Sequence, residues 1–125
     1  MLNRVQRFED VIAWQKARAL TQKVYEATQH GAFARDYGLT SQMQRASVSI
    51  MSNIAEGFER GKPREYLHFL SIAKASCAEV RSHLYVALDT GHIDQPTFVH
   101  LSDSANEIGR IIGGLRMAIE RQQGG

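Results

Sequence analysis

Apolar positions along this chain fall into four runs with helical spacing. In the first, Ala13, Ala17, Leu20, Val24 and Ala27 recur at steps of four and three, with Val11, Trp14 and Tyr25 widening the face. That period predicts an amphipathic helix over 9–29. Glu9 and Asp10 suit the positive end of its dipole. Gly31 can take the left-handed cap that ends it, and Trp14 reads as a packed aromatic anchor. The longest connection follows, Ala32 to Gly38, in which Phe33 and Tyr37 are expected to plug the end of the fold.

The second run predicts a helix over 39–60, opened by Ser41 and Gln44 at capping-box spacing. It carries two apolar stripes. Met43, Ala46, Ile50, Ile54 and Gly57 form one, and Val48, Met51, Ala55 and Phe58 form a second, rotated from it. From Ala46 to Ala55 there is no charge at all, and a helix without a charged face is buried on several sides. The third run, predicted as a helix over 63–90, has a heptad seam of Tyr66, Leu70, Ala73, Cys77, Val80, Leu84 and Ala87. Pro63 fits its first turn and Gly91 its end. The fourth, over 95–121, repeats the device with Phe98, Leu101, Ala105, Ile108, Ile112, Leu115 and Ile119, after an Asp94 N-cap. Gly109, Gly113 and Gly114 sit inside it. Each costs roughly 1 kcal/mol relative to Ala in a helix interior, so close approach of a neighbouring helix is expected there. The tail, Gln122 to Gly125, is expected to fray.

No strand-like alternation interrupts these runs. Four helices with short connections predict an all-α, antiparallel up-down-up-down four-helix bundle, with residues 1–125 as a single domain. One stripe of the second helix suffices for an intrachain core. The other, Val48, Met51, Ala55 and Phe58, is therefore expected at an interface between copies of the chain.

Composition adds bounds. Apolar residues make up 43% of the 125 residues and charged residues 22%, a globular balance. The net charge of +2 does not by itself imply nucleic-acid binding. One cysteine allows no internal disulfide and fits a reducing, cytoplasmic setting. No apolar h-region follows Arg4 and Arg7, so no signal peptide is expected. No apolar run approaches the roughly 20 residues of a membrane span.

Catalytic machinery is not legible. Glu65 and His68 have the Glu-x-x-His spacing of di-iron bundles, but such sites need two copies. Glu79 and His83 lie four apart and could share a proton or an ion pair, which is not a metal site. Cys77 falls on the heptad seam as a small core residue. No nucleophile elbow, phosphate loop or dinucleotide fingerprint occurs. No metal, cofactor or enzymatic activity is expected. The polar set of the second helix, Ser47, Ser49, Ser52, Asn53 and Glu56, reads as a register-fixing network, joined by Arg45 through a carboxylate such as Glu79 or Glu56. A pocket for a small ligand, built on Asn53, Glu56 and Glu79, is the rival reading. Arg60, Lys62 and Arg64 form a basic turn, and Arg4, Arg7, Lys16, Arg18 and Lys23 thread the first helix and its lead. Repeated around an assembly, the basic turn could bind phosphates without reading sequence.

The stretch Tyr37 to Gly57 resembles the signature of the bacterial four-helix-bundle family named after proteins encoded in 23S ribosomal RNA intervening sequences. Supporting matches are Trp14-Gln15-Lys16-Ala17, Val24-Tyr25, and Phe69 to Lys74 with Ser76 and Glu79. The resemblance covers about Phe8 to Ile119. Two departures stand out. Phe33-Ala34 replaces the usual Phe-Pro pair, implying a looser turn, and Ala75-Ser76 replaces a Gly-Ser step, implying a slightly crowded contact. The resemblance implies a homo-oligomeric ring, a pentamer; together with the two stripes of the second helix and the glycines of the fourth, it leads to the expectation of a non-enzymatic scaffold or adaptor. A related branch serves the reverse transcriptase of retroelements and binds nucleic acid, so a reverse-transcriptase-like partner and an RNA or hybrid ligand are the implied alternatives.

Overall fold

A computed structural model describes residues 5–124 of the chain. Arg4, counted above in the basic thread, and Gly125 of the tail lie outside the described residues. The described residues are all-helical, with a short 3-10 turn at Phe8–Asp10 and five helices: α1 (Ile12–Thr28), α2 (Gly31–Arg35), α3 (Tyr37–Arg60), α4 (Pro63–Asp89) and α5 (Gln95–Gly124). No strand occurs among them. The four long helices pack in a closed cycle, α3 against α4 and α1, and α5 against α4 and α1.

One contiguous core runs through them. The heptad residues Leu70, Ala73, Cys77, Val80, Leu84 and Ala87 are buried on α4, and Leu101, Ala105, Ile108 and Ile112 on α5. On α3 the first stripe, Met43, Ala46, Ile50, Ile54 and Gly57, is buried throughout. The second stripe departs from expectation. Met51 and Phe58 pack against the chain's own core, Ala55 is half-buried, and Val48 is 37% exposed. A rotation of about a third of a turn puts the second stripe on the flank of the core face, where Met51 and Phe58 still reach its crevices, and Val48 is the most exposed of the four.

The helix starts also differ from the expected ones. Glu9 and Asp10 belong to the 3-10 turn, where the Asp10 carboxylate accepts the Gln6 and Arg7 amides at 3.1 and 3.3 Å. Val11 is extended, and α1 begins only at Ile12. The expected connection from Ala32 to Gly38 contains a helix of its own, α2, launched by Gly31 at φ 58°. Phe33 does plug the end and is buried, but Tyr37 is 77% exposed. The N-cap of α3 is Asp36, whose carboxylate accepts the Leu39 amide at 3.2 Å. Ser41 therefore lies inside the helix, and Gln44 donates instead to the Thr28 hydroxyl at 3.0 Å. Asp94 does cap α5, accepting the Thr97 amide at 2.9 Å. That helix runs through Gln122 and Gln123 to Gly124, three residues beyond the expected end at 121.

Glycines mark where helices touch and where they do not. A Cβ on Gly57 would stand 2.7 Å from the Cβ of Phe69 and 3.1 Å from a ring carbon of Tyr66. A neighbouring Cβ is fixed to its backbone, so α4 itself would have to shift. The α5 glycines behave otherwise. A Cβ on Gly109 would meet Cys77 at an ordinary 3.8 Å, one on Gly113 the Lys74 ammonium at 3.7 Å, and one on Gly114 nothing within 4 Å. The close intrachain approach expected of Gly113 and Gly114 is absent, because both face the outside of the α4–α5 pair. Ala75 is likewise exposed and crowds nothing within the chain.

Gly57→Ala is expected to destabilise the fold by about 1–3 kcal/mol, as overpacked sites do. Gly114→Ala is expected to stabilise it by roughly 0.5–1 kcal/mol through helix propensity alone. Urea denaturation at one fixed protomer concentration distinguishes the two signs.

His92 Nε2 lies 3.0 Å from Asp36 Oδ2, and the imidazole stacks on Phe33 at 4.8 Å. The His92 contact, helped by the Leu39 amide, holds the Asp36 carboxyl below the usual range. A lowered folded value gives stability fully present above the ordinary carboxyl pKa of about 3.9, lost as pH falls through the lowered value. Asp36→Asn keeps an N-cap oxygen but no charge. The difference in Tm between wild type and this variant is expected to shrink as pH drops below about 3.9, and a constant difference contradicts the assignment.

Candidate functional site

The polar groups of α3 divide into an inner set and an outer set. The inner set links α3 to α4: the Ser76 hydroxyl donates to the Ser49 hydroxyl at 2.9 Å, and the Asn53 amide donates to Ser49 Oγ and O at 3.0 and 2.8 Å. Ser47 is fully buried, donating to the Gln44 carbonyl, while its own carbonyl accepts from Thr21 of α1 at 3.1 Å. These bonds fix α3 lengthwise between α1 and α4.

Four members of the expected network are outside it. Arg45, Ser52, Glu56 and Glu79 are exposed. Arg45 forms no ion pair with Glu56 or Glu79, because water solvates its guanidinium and a buried partner is not required. Glu56 pairs with Arg60 instead, at 3.0 Å. Asn53, Glu56 and Glu79 therefore do not converge on a ligand pocket. Glu79 and His83 form no ion pair either. Among the described residues no group of three or more His, Cys, Asp or Glu is placed to hold a metal ion.

The basic turn is also reshaped. Arg60 bonds Glu56 and, at 3.3 Å, Glu65, and its guanidinium lies 5.0 Å over the Phe69 ring. The Glu56 hydrogen bond raises its pKa. Two carboxylates offset its charge, which leaves Lys62 and Arg64 as the exposed cations of that turn without an ion pair among the described residues. Beside it, Phe58 meets Tyr66 edge to face at 6.0 Å, and burial pushes the Tyr66 hydroxyl up to about 12. Burial does the same to Cys77, also to about 12, so its thiol stays protonated and unreactive near neutrality. Along α1 the basic thread is largely engaged. Arg7 lies 3.8 Å from Glu9, Lys16 lies 3.5 Å from Glu107 of α5, and Arg18 sits over Trp14.

Sequence reasoning passes over a different set of cations. Lys74 and Arg81 of α4, with Arg110 and Arg116 of α5, line a groove of about 930 Å³ on the outer side of these two helices. The one signal for it in the sequence is the run Ala105, Gly109 and Gly113, small residues four apart on one face. It marks the groove floor.

The chain matches the family described as 23S rRNA-intervening sequence protein over residues 9–114. Its fold matches a crystal structure from Bacteroides thetaiotaomicron, a protein of unknown function from the S23 ribosomal protein family. The TM-score is 0.77 at 17% identity, over 84% of this chain and 98% of that one. No functionally curated protein matches the sequence.

Proposed function

This chain belongs to the 23S rRNA-intervening sequence protein family, and from that premise we propose that it is a non-enzymatic, self-assembling scaffold or adaptor. In this reading the long helices run up-down-up-down as an antiparallel bundle, supported by connections too short for a crossover. The bundles assemble into a homo-oligomeric ring, a pentamer by family resemblance, in the cytoplasm. Among the described residues no helix is long and apolar enough to cross a membrane.

One observation carries the assembly: apolar side chains stay uncovered on every long helix after the core is filled. They include Ile12 on α1, Val48 on α3, Ile72 and Val86 on α4 and Val99 on α5. A ring joins one face of a protomer to a different face of the next. Helices α3 and α5, on opposite sides of the helix cycle, supply Val48 and Val99 to two such faces. Light scattering after size exclusion is expected to give a mass of several protomers. Val48→Asp, at an exposed position, is expected to lower that mass while leaving the helical circular dichroism intact. A wild-type monomer at micromolar concentration overturns the reading.

A second reading, sequence-nonspecific binding of RNA or hybrid nucleic acid in support of a reverse-transcriptase-like partner, is favoured by the unpaired Lys62 and Arg64. Arg60, held by two carboxylates, adds little to it. Titration of an RNA oligonucleotide at two salt concentrations tests it. Binding is expected to weaken with salt and to weaken further in Lys62→Ala/Arg64→Ala. Salt-independent binding, or no loss in the variant, rules that turn out as the binding surface.

A further inference from the structure

We propose that the α4–α5 groove is a docking site for an acidic amphipathic helix of another protein. The groove is complete within one chain, so the inference goes beyond self-assembly and does not depend on it.

Lys74, Arg81, Arg110 and Arg116 line the groove, and none of them forms an ion pair among the described residues. Glu120 is the acid in its lining. Elsewhere Arg7, Lys16 and Arg60 form ion pairs while Arg45, Lys62 and Arg64 form none among the described residues, so what distinguishes these four cations is their convergence on one groove. Arg116 carries the point further. Its Nε is buried without a hydrogen-bond partner, although the residue as a whole is only half-buried. A buried donor without a partner is unfavourable, and a carboxylate in the groove that draws the Arg116 side chain outward would satisfy it with a charge-assisted bond.

The shape of the groove selects a helix. The floor is made of Ala75 and Ala78 on α4 with Ala105, Gly109 and Gly113 on α5. The α5 residues span about 12 Å, two turns of helix. Nothing within the chain requires Gly113 or Gly114 to lack a side chain, yet glycine there disfavours the helix. A second backbone lying in the groove would require it, because two helices approach closely only across small residues. The walls add Met117, 59% exposed, as an apolar contact. A helix with a small apolar seam and glutamates on both flanks matches floor and walls together, in the helix-in-groove mode. A phosphate backbone would use the cations and leave the apolar floor without a role. The aromatic platforms that stack bases are absent from the lining.

The test uses a labelled helical peptide of about 20 residues, long enough to populate a helix, with an Ala/Leu seam flanked by Glu. Controls are a scrambled peptide of the same composition, a Lys-for-Glu version, and single-stranded RNA of about the same length. Fluorescence anisotropy is expected to show saturable binding of the Glu peptide, at least about tenfold tighter than the scrambled or Lys versions. Lys74→Glu/Arg110→Glu, at two exposed positions, is expected to lose that binding and gain the Lys peptide. Gly113→Leu, which fills the floor while favouring the helix, is expected to lose the Glu peptide with circular dichroism unchanged. Absent binding, or equal binding by wild type and the charge-reversed variant, overturns the proposal and leaves the assembly reading standing. RNA that displaces the peptide through the same cations makes the groove a nucleic-acid site and also overturns it. A charge-reversed variant whose mass falls in light scattering makes the groove an interface between copies, which overturns it as well.

Discussion

The closest constraint in this fold is the contact of α3 with α4 at Gly57, where a single methyl group would strike the Phe69 Cβ at 2.7 Å. That contact fixes how near the two helices lie, and much of the local chemistry follows from the distance. Ser49 and Ser76 come within 2.9 Å two turns away. Phe58 meets Tyr66, and Phe69 is brought beneath Arg60. Arg60 then finds Glu65 at the start of α4 as well as Glu56 on its own helix. A residue that sequence alone assigns to a binding surface thus becomes part of the hinge that closes the helix pair. Packing at this density leaves no slack, so one glycine decides the environment of side chains a full turn distant.

The two sides of α4 obey opposite rules. Toward α3 it is locked by sterics and by hydrogen bonds that leave nothing to recruit. Toward the outer side of α5 it leaves small residues uncovered and cations unpaired. The cost of burying a polar group alone forces the serines and Asn53 to be satisfied within the chain. Exposed lysines and arginines face no such requirement, since water solvates them. Their arrangement is free to serve a partner.

Much of the helix pattern is legible in the residues. The seams of α4 and α5 follow from spacing, because a 3.6-residue period puts those side chains on one face whatever the neighbours do. Gly61 and Gly91 adopt positive φ where the sequence places stops, and Asp94 caps where an Asx residue before Pro should. The α3 start is ambiguous in sequence because Ser41–Gln44 and Asp36 offer competing caps. The fold selects Asp36, which also reaches His92, 56 residues away in sequence. Helix α2 is hidden for a similar reason. Five residues carry too little periodicity to be distinguished from a turn, and its Phe33 is held by burial and by the stacked His92.

The candidate surfaces are less legible. Sequence determined the helix phases, the stops and the buried faces, all of which depend on residues a few positions apart. Tertiary structure decided which charges meet and which remain alone. Met51 and Phe58 packed against the core, Arg60 acquired two carboxylates, and Lys74, Arg81, Arg110 and Arg116 came to share one groove. Those outcomes depend on the rotation and register of one helix against another. Many side chains far apart in the chain set both together, through packing that no local pattern records.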